Sequence, residues 1–171
     1  IASADLNNLP LLKAIAKKNK PIILSTGASN IDEIKFSVNF LKENGCPDVS
    51  LLHCILNYPT KYKDANLAMI QDLSKHFPSH TIGYSDHTPP DNEMITLTTA
   101  YLMGAQIIEK HYMINDKMDC VDSPVSITQE QMKKLVAELN NLEKIQGKSN
   151  FGIRDSESGA VIFRRFSVYY I

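Results

Sequence analysis

Residues 81–112 read TIGYSDHTPPDNEMITLTTAYLMGAQIIEKHY, and this stretch decides the fold. It opens with a short apolar run, Thr81–Tyr84, and closes with a second, Gln106–Glu109. Between them, Asp91 precedes a segment of helical period that ends at Gly104. Two short runs joined by a helix are typical of a βαβ unit, whose strands lie parallel in one sheet.

Similar runs occur earlier in the chain, at Ile1–Ser3 (a partial strand), Pro21–Leu24 and Val49–Cys54. The runs that begin at residues 21, 49, 81 and 106 follow one another at the interval of a barrel βα unit. A complete (β/α)₈ barrel takes about 200 residues or more, and this chain has 171. We therefore predict an α/β fold, a partial TIM (β/α)₈ barrel with parallel strands inside and helices outside. It would hold about strands four to eight and would begin within the fold, since Ile1 is not an initiator Met.

The predicted helices have clear start signals. Asn30 followed by Glu33 and Thr128 followed by Gln131 have the spacing of a capping box. Asn8, Asn66 and Asp91 precede the other three apolar periodic segments. The last helix is predicted to end at Gly147, and the residues after it read as a loop with a short strand-like tail.

The composition narrows the class of protein. A formal net charge of -1 without a Lys/Arg cluster argues against nucleic acid as a partner. No apolar stretch approaches the roughly 20 residues that a bilayer requires, so we predict a soluble protein with no membrane association. Three widely spaced cysteines favour reduced thiols in the cytoplasm over disulfides or a zinc site. Of these, Cys54 is predicted to be a buried apolar residue.

Polar residues follow the predicted strands, and functional groups of parallel α/β folds gather at the carboxyl ends of the strands. His87 and His111 follow two consecutive strands. Neighbouring strands lie about 5 Å apart, so both imidazoles can reach one ion. Two histidines with open positions suit Mn²⁺, Fe²⁺ or Zn²⁺. The alternative is that each is a hydrogen-bonded polar residue at the barrel rim.

Two further polar groups remain open to more than one interpretation. Ser25–Gly27 ends a strand before a helix, where hydroxyls and free backbone N–H groups favour an anion, but a plain strand-to-helix turn has the same residues. Glu109–His111 alternates along a strand, so only some of these side chains face the barrel interior. Pairing with neighbours is as good an explanation for Glu109 and Lys110 as catalysis.

Five motifs in order carry a resemblance to a known family: KP-x-x-x-STG at Lys20–Gly27, LLHC-x-x-x-YPT at Leu51–Thr60, DANL at Asp64–Leu67, GYSDHT at Gly83–Thr88 and IEKHY at Ile108–Tyr112. This series closely resembles the sialic acid synthase (N-acetylneuraminate synthase, NeuB-like) family. The resemblance implies a metal-dependent condensation of phosphoenolpyruvate with the aldehyde of an N-acetylated hexosamine, of the N-acetylmannosamine type. The products would be a sialic acid-like nonulosonate and phosphate. A non-catalytic remnant or assembly module, and a sibling synthase of the legionaminic, pseudaminic or spore-coat type, are the alternatives.

The resemblance also implies roles for individual residues. His87 and His111 would bind Mn²⁺, with Mg²⁺ or Co²⁺ as other options, and Asp122 would join them in catalysis. The substrates would contact the residues Ser3, Asp5, Ser25, Asn57, Tyr58 and Ser85. Of these, Ser3 and Ser25 resemble phosphate contacts, Tyr58 and Ser85 line the phosphoenolpyruvate site, and Asp5, with Asp122, resembles a sugar ligand. Asn57 stands beside Leu56, where some members have a polar residue.

The chain departs from the family pattern at two turns. Pro89-Pro90 replaces the usual turn after SDHT, and Cys120–Ser123 replaces a G-P-D-H sequence; both would reshape the sugar site.

The resemblance divides the chain into residues 1–147, the C-terminal part of the barrel, and residues 148–171, a linker towards an antifreeze-like (SAF) domain. The linker includes Arg164–Tyr169. The first barrel strands and the SAF domain are not among these residues, which implies that the complete catalyst is longer. A half-barrel exposes sheet edges and apolar surface, so we expect a homodimer or higher self-association.

Overall fold

The computed structural model describes residues 1–114 and 120–166. Four strands and five α-helices alternate along these residues. Their order is α1 (Leu9–Ala16), β1 (Ile22–Ser25), α2 (Ile31–Glu43), β2 (Val49–Cys54), α3 (Ala68–His76), β3 (Ile82–Asp86), α4 (Ile95–Leu102), β4 (Ile107–Lys110) and α5 (Gln129–Gln146). Short 3₁₀ turns lie at Ser3–Asp5, Tyr62–Asp64, Ser123–Val125 and Asp155–Phe163.

The strands form one parallel sheet in the order β1-β2-β3-β4. Consecutive strands are neighbours and a helix connects each pair, which is the arrangement of a (β/α) barrel. The fold is a curled half-barrel with helices outside, and it confirms the predicted class. After β4, a single parallel bridge between Tyr112 and Ile127 continues the sheet direction towards α5.

The predicted partial strand at Ile1–Ser3 is wrong, because the chain turns there. The Asp5 N–H bonds the carbonyl of Ala2 at 3.0 Å and closes the 3₁₀ turn Ser3–Asp5. Ile1 nevertheless lies beside β1 as a parallel partner would. Its amino group donates to the carbonyl of Ile23 at 2.7 Å, and its carbonyl accepts from the Ser25 N–H at 3.1 Å.

Alternate residues of each strand face either the helices or the barrel interior. The helix-facing side carries the core, with Leu24, Leu51 and Tyr84 at most 1% exposed. Burying each such side chain contributes about 1.5–3 kcal/mol. The interior face is more open, and Ile23 there is 46% exposed. This open face is where the polar residues of the strand ends meet.

The helix starts agree with the sequence prediction at both capping boxes. Asn30 Oδ1 accepts from the Glu33 N–H at 3.0 Å while the Glu33 carboxylate accepts from the Asn30 N–H at 2.8 Å. Thr128 and Gln131 make the same reciprocal pair at the start of α5. Asn66 differs, because it adopts a left-handed φ of 46° and makes no side-chain cap for α3.

The C-terminal segment is not the predicted strand-like tail where the structure describes it. Asp155–Phe163 forms a 3₁₀ helix with no buried residue, and Ile162 and Phe163 are largely exposed. Residues 167–171, which include the end of the predicted linker, lie outside the described residues. Within residues 1–114 and 120–166, no helix is long and apolar enough to cross a membrane.

Candidate active site

A cavity of about 370 Å³ opens at the carboxyl ends of the strands. Eight of the residues around it lie on strands, directly after strands or in the loop after β2; these are Ser25, Cys54, Leu56, Tyr58, Ser85, His87, Glu109 and His111. The remaining lining residues are residues 1–4. The cavity is therefore where the sequence predicts the functional groups of a barrel to gather.

Strand register explains why these side chains meet. Ser85 is the register partner of Glu109, and Asp86 is the partner of Lys110. His87 and His111 follow at the next position of each strand, so they lie side by side. Because side chains alternate between the two faces, Ser85, Glu109 and the two histidines point into the cavity, while Asp86 and Lys110 point towards the helices.

The two imidazoles are close enough to share a ligand. Their ring centroids lie 5.2 Å apart at an angle of 66°. The Tyr58 ring covers them from the loop after β2, at 3.9 Å from the His87 centroid and 5.5 Å from the His111 centroid. This ring forms one wall of the cavity.

The hydrogen bond of His87 decides which of its nitrogens is available. Nδ1 lies 2.8 Å from the carbonyl oxygen of Ile55. A carbonyl oxygen can only accept, so Nδ1 carries the proton and Nε2 of the neutral ring keeps its lone pair. Burial lowers the pKa of His87, with the nearby His111 ring acting in the same direction and the hydrogen bond to Ile55 acting against them. Both observations favour a neutral His87 ring with its lone pair on Nε2.

His111 lies beside a carboxylate. Its Nδ1 lies 3.6 Å from Oδ2 of Asp122. Asp122 precedes the 3₁₀ turn Ser123–Val125, and its carbonyl accepts from the Ser126 hydroxyl at 2.7 Å. A carboxylate or carbonyl behind one imidazole nitrogen is the usual way in which proteins orient a metal-binding histidine.

The histidine pair fits an open metal site and does not fit a closed one. Within residues 1–114 and 120–166, no group of three His, Cys, Asp or Glu residues is arranged to hold an ion. An ion at this place would take two imidazole nitrogens and complete its shell with water or substrate oxygens, as catalytic metals do.

Glu109 is a cavity residue that the sequence analysis did not select as a site residue. Its Oε1 accepts a 2.7 Å hydrogen bond from the Ser85 hydroxyl. The signal was available in the alternation of Glu109–His111: residues 109 and 111 share a strand face, and Lys110 faces the other way. An acidic side chain therefore lies beside the histidine pair.

The turn after β1 is more fully hydrogen-bonded than predicted. The N–H groups of Ser25, Thr26 and Gly27 donate to the carbonyls of Ile1 and Leu52 and to the Ser3 hydroxyl, respectively. The sequence left two interpretations open, an anion site with free backbone N–H groups and a plain strand-to-helix turn. These contacts favour the plain turn, because residues 1–3 and β2 already occupy the three N–H groups. What remains for an anion is the side chain of Ser25, which lines the cavity with Ser3.

Three predicted site residues, Asp5, Asn57 and Asp122, are not among the residues that line the cavity. Asp5 accepts a 3.1 Å hydrogen bond from the Asn8 side chain, and Asn57 donates to the carbonyl of Pro59 at 3.1 Å. Leu56 lines the cavity in place of Asn57. Cys54 is buried, as predicted, but its side chain faces the cavity, 3.7 Å from Nδ1 of His87.

A half-barrel with a polar cavity at the carboxyl ends of its parallel strands defines the class: part of a (β/α)₈-barrel enzyme domain. The family model described as the NeuB family matches residues 1–151. The chain belongs to the NeuB family.

Several curated relatives are named as synthases of N,N'-diacetyllegionaminic acid, N-acetylneuraminate 9-phosphate or pseudaminic acid. The chain is 39% identical to N,N'-diacetyllegionaminic acid synthase of Campylobacter jejuni, over 86% of this chain and 43% of that protein. It is 35% identical to N-acetylneuraminate-9-phosphate synthase of Drosophila melanogaster, over 84% of this chain and 38% of that protein. The chain thus spans less than half the length of these curated relatives.

A solved structure has the same fold. The N-acetylneuraminic acid (sialic acid) synthetase of Leptospira borgpetersenii superposes with a TM-score of 0.84 at 35% identity, covering 96% of this chain and 56% of that one. The match confirms the half-barrel as part of the fold that sialic acid synthetases use.

Proposed function

We propose that this chain is part of a synthase that joins phosphoenolpyruvate to the open-chain aldehyde of an N-acetylated hexosamine, of the N-acetylmannosamine type. C3 of phosphoenolpyruvate forms a bond to the aldehyde carbon, water adds at C2, and phosphate leaves, so that a 2-keto sugar acid results. The observation that carries the proposal is the side-by-side placement of His87 and His111 above the Ser85–Glu109 pair in one cavity. Membership of the NeuB family supports it.

The proposed metal ligands are the imidazoles of His87 and His111, with Mn²⁺ as the preferred ion and Mg²⁺ or Co²⁺ as substitutes. Such an ion, when bound, polarises a carbonyl oxygen as a Lewis acid. The protein holds the His87 ring in the required tautomer through Ile55 and faces His111 with Asp122. Both contacts are made before any substrate arrives.

The other cavity residues act directly on the substrates. The hydroxyls of Ser3 and Ser25, which line the cavity, donate hydrogen bonds to phosphate or carboxylate oxygens in this proposal. Ser85 lines the same site, but its hydroxyl proton is held by Glu109, so it can donate to a substrate only after leaving that carboxylate. Glu109 is placed to accept a proton from the water that adds at C2. Asp122, whose carboxylate lies 3.6 Å from His111 Nδ1, binds sugar hydroxyls or exchanges a proton with them in this proposal. Tyr58 covers the histidines and excludes water from the reacting atoms.

The test is phosphate release from phosphoenolpyruvate in the presence of N-acetylmannosamine and Mn²⁺, with Mn²⁺ binding measured separately by electron paramagnetic resonance. His87→Ala and His111→Ala should each abolish metal binding and phosphate release. Cys54→Ala is the matched control, because Cys54 lines the same cavity but supplies no proposed ligand, and it should bind metal as the unaltered protein does. Equal Mn²⁺ affinity in all three variants would remove the metal site.

A sibling synthase with another acceptor is the second candidate, since the relatives include the spore coat polysaccharide biosynthesis protein SpsE of Bacillus subtilis and legionaminic acid synthases. A panel of aldehyde sugars under the same assay separates the acceptors. No phosphate release with any of them when the assay is run on a protein that also holds the first barrel strands would instead favour a non-catalytic remnant or assembly module.

The cellular setting is likewise a proposal. Cys46, Cys54 and Cys120 are all free thiols, which suits the reducing cytoplasm. The open interior face of the half-barrel, with Ile23 on it, favours a homodimer or higher self-association. Sedimentation of the protein at several concentrations tests this second point.

A further inference from the structure

A buried ion pair lies directly behind the two histidines, on the side of the sheet away from the cavity. Lys110 Nζ is 2.7 Å from Oδ2 of Asp86, and both side chains are 1% exposed. These residues end β4 and β3 and are register partners. Neither side chain lines the cavity, so neither contacts a substrate there.

The Asp86–Lys110 pair makes hydrogen bonds to Thr88, the residue that follows His87. Asp86 Oδ1 accepts from the Thr88 N–H at 2.9 Å, and Oδ2 accepts from the Thr88 hydroxyl at 3.0 Å. Lys110 donates to the Thr88 carbonyl at 2.5 Å. Tyr84 adds a 2.8 Å hydrogen bond to Oδ1 of the same carboxylate. His87 therefore stands between two residues, Asp86 and Thr88, that are bonded to each other and to Lys110.

The same ion pair ties down the end of β4, the residue from which the chain continues into His111. Beyond this point the strands no longer pair, and the backbone carbonyls of the histidines bond elsewhere. The His87 carbonyl accepts from the Thr60 N–H at 2.8 Å, and the His111 carbonyl accepts from the Ile127 N–H at 2.8 Å. The Asp86–Lys110 pair is thus the last direct link between the two strands before the histidines.

Stability alone is a poor explanation for such a pair. The desolvation of two buried charges offsets much of their attraction, and apolar residues of similar size often serve stability as well or better. An apolar pair, however, could not make hydrogen bonds to the N–H, the carbonyl and the hydroxyl of Thr88. What distinguishes the charged pair is therefore that it fixes the position of Thr88.

We infer that Asp86 and Lys110 are positioning residues that set the spacing and orientation of the His87 and His111 imidazoles. This inference rests on the proposed function only for the use of the imidazoles as metal ligands. The geometry itself concerns the protein without metal, so it can be tested whether or not a metal binds.

The experiment compares imidazole nitrogen signals in long-range ¹H–¹⁵N correlation spectra of the metal-free protein. In the unaltered protein, His87 should give the neutral pattern with the proton on Nδ1, as its contact with Ile55 requires. In Lys110→Met this pattern should be lost or averaged, and the His111 signals should shift. Lys35→Met, the same change on the exposed face of α2, should leave all imidazole signals unchanged.

Lys110→Met leaves an unpaired buried carboxylate and is at risk of not folding. The double variant Asp86→Asn/Lys110→Met removes both charges and keeps an amide in place of the carboxylate, so it is the second test. Its circular dichroism spectrum and unfolding midpoint should stay close to those of the unaltered protein while the His87 and His111 signals change. A folded double variant with unchanged imidazole signals would overturn the inference.

Mn²⁺ binding to the same proteins separates this inference from the proposed function. We expect the double variant to bind Mn²⁺ about 10- to 100-fold more weakly, the usual effect of losing a residue behind a metal ligand. Absence of Mn²⁺ binding to the unaltered protein would count against the proposed metal site. The positioning role would then still be decided by the imidazole spectra.

Discussion

Gly83→Ala should separate β3 from β4 and thereby weaken both the fold and the cavity. A Cβ at position 83 would lie 2.4 Å from the backbone oxygen of Ile107, 2.4 Å from Cδ2 of Leu52 and 2.8 Å from Cβ of Ile107. Carbon atoms in good contact are about 3.5–4.0 Å apart. Leu52 Cδ2 is the end of a flexible side chain, whereas the Ile107 oxygen belongs to the backbone of the neighbouring strand and moves only if the sheet opens.

The magnitude follows from these contacts. Overpacking of a core typically costs about 1–3 kcal/mol, and the backbone clash places Gly83→Ala at the upper end. Loosening a β3–β4 hydrogen bond adds about 1 kcal/mol. We therefore expect the free energy of unfolding to fall by about 3–4 kcal/mol. At about 2–4 °C per kcal/mol for a protein of this size, the unfolding midpoint should fall by roughly 6–16 °C.

The assay is urea unfolding followed by circular dichroism, with Gly152→Ala as the matched control. A Cβ at Gly152 meets no atom within 4 Å, so this variant should stay within about 0.5 kcal/mol of the unaltered protein. If Gly83→Ala unfolds at the same urea concentration as Gly152→Ala, the close approach of β4 to Gly83 is not a packing constraint, and the reasoning fails.

Three further results are expected. Gly27→Ala should slow phosphate release at limiting phosphoenolpyruvate, because the new Cβ would lie 2.9 Å from Oγ of Ser3 and would displace the Ser3 side chain, which lines the cavity. An unchanged rate would show that Ser3 has room to move. Burial lowers the pKa of His53 below its ordinary 6.5, so the stability that its neutral form contributes is complete above about pH 6.5 and is lost as the pH falls through the folded-state pKa. In His53→Gln, the free energy of unfolding should therefore depend less on pH over that range. The same pH dependence in both proteins would contradict this reasoning. Thr128→Ala should cost about 1 kcal/mol by removing the cap of α5, measurable by urea unfolding; Thr98→Ala, within α4, is the comparison, and equal losses would mean that the capping box has no special effect.

Much of the fold follows from local patterns. The strands β2 and β3 were predicted from their apolar runs, and the capping boxes at Asn30 and Thr128 are present as expected. These patterns depend on neighbours within a few residues, so they can be detected without knowing the tertiary structure. The strand predicted at Ile1–Ser3 was wrong for the same reason. A 3₁₀ turn of three residues is too short to produce a periodic pattern of apolar residues.

The site was less predictable, because it depends on which distant residues share one face. His87 and His111 were expected to meet, and they do. Asp5 and Asn57 were expected at the substrate, but local hydrogen bonds direct their side chains to Asn8 and Pro59. The position of a residue in the sequence does not reveal whether its side chain will bond a neighbouring residue or remain available to a substrate.

The sequence by itself determined that strands and helices alternate and that polar residues follow each strand, because propensity, capping and the period of apolar residues are local properties. Only the tertiary structure decided that Glu109 enters the cavity while Lys110 turns away to pair with Asp86. The reason is that alternation along a strand allows two arrangements, in which either the odd-numbered or the even-numbered side chains face the cavity. Strand register and the curvature of the sheet choose between them, and both arise from packing among segments that are far apart in the chain.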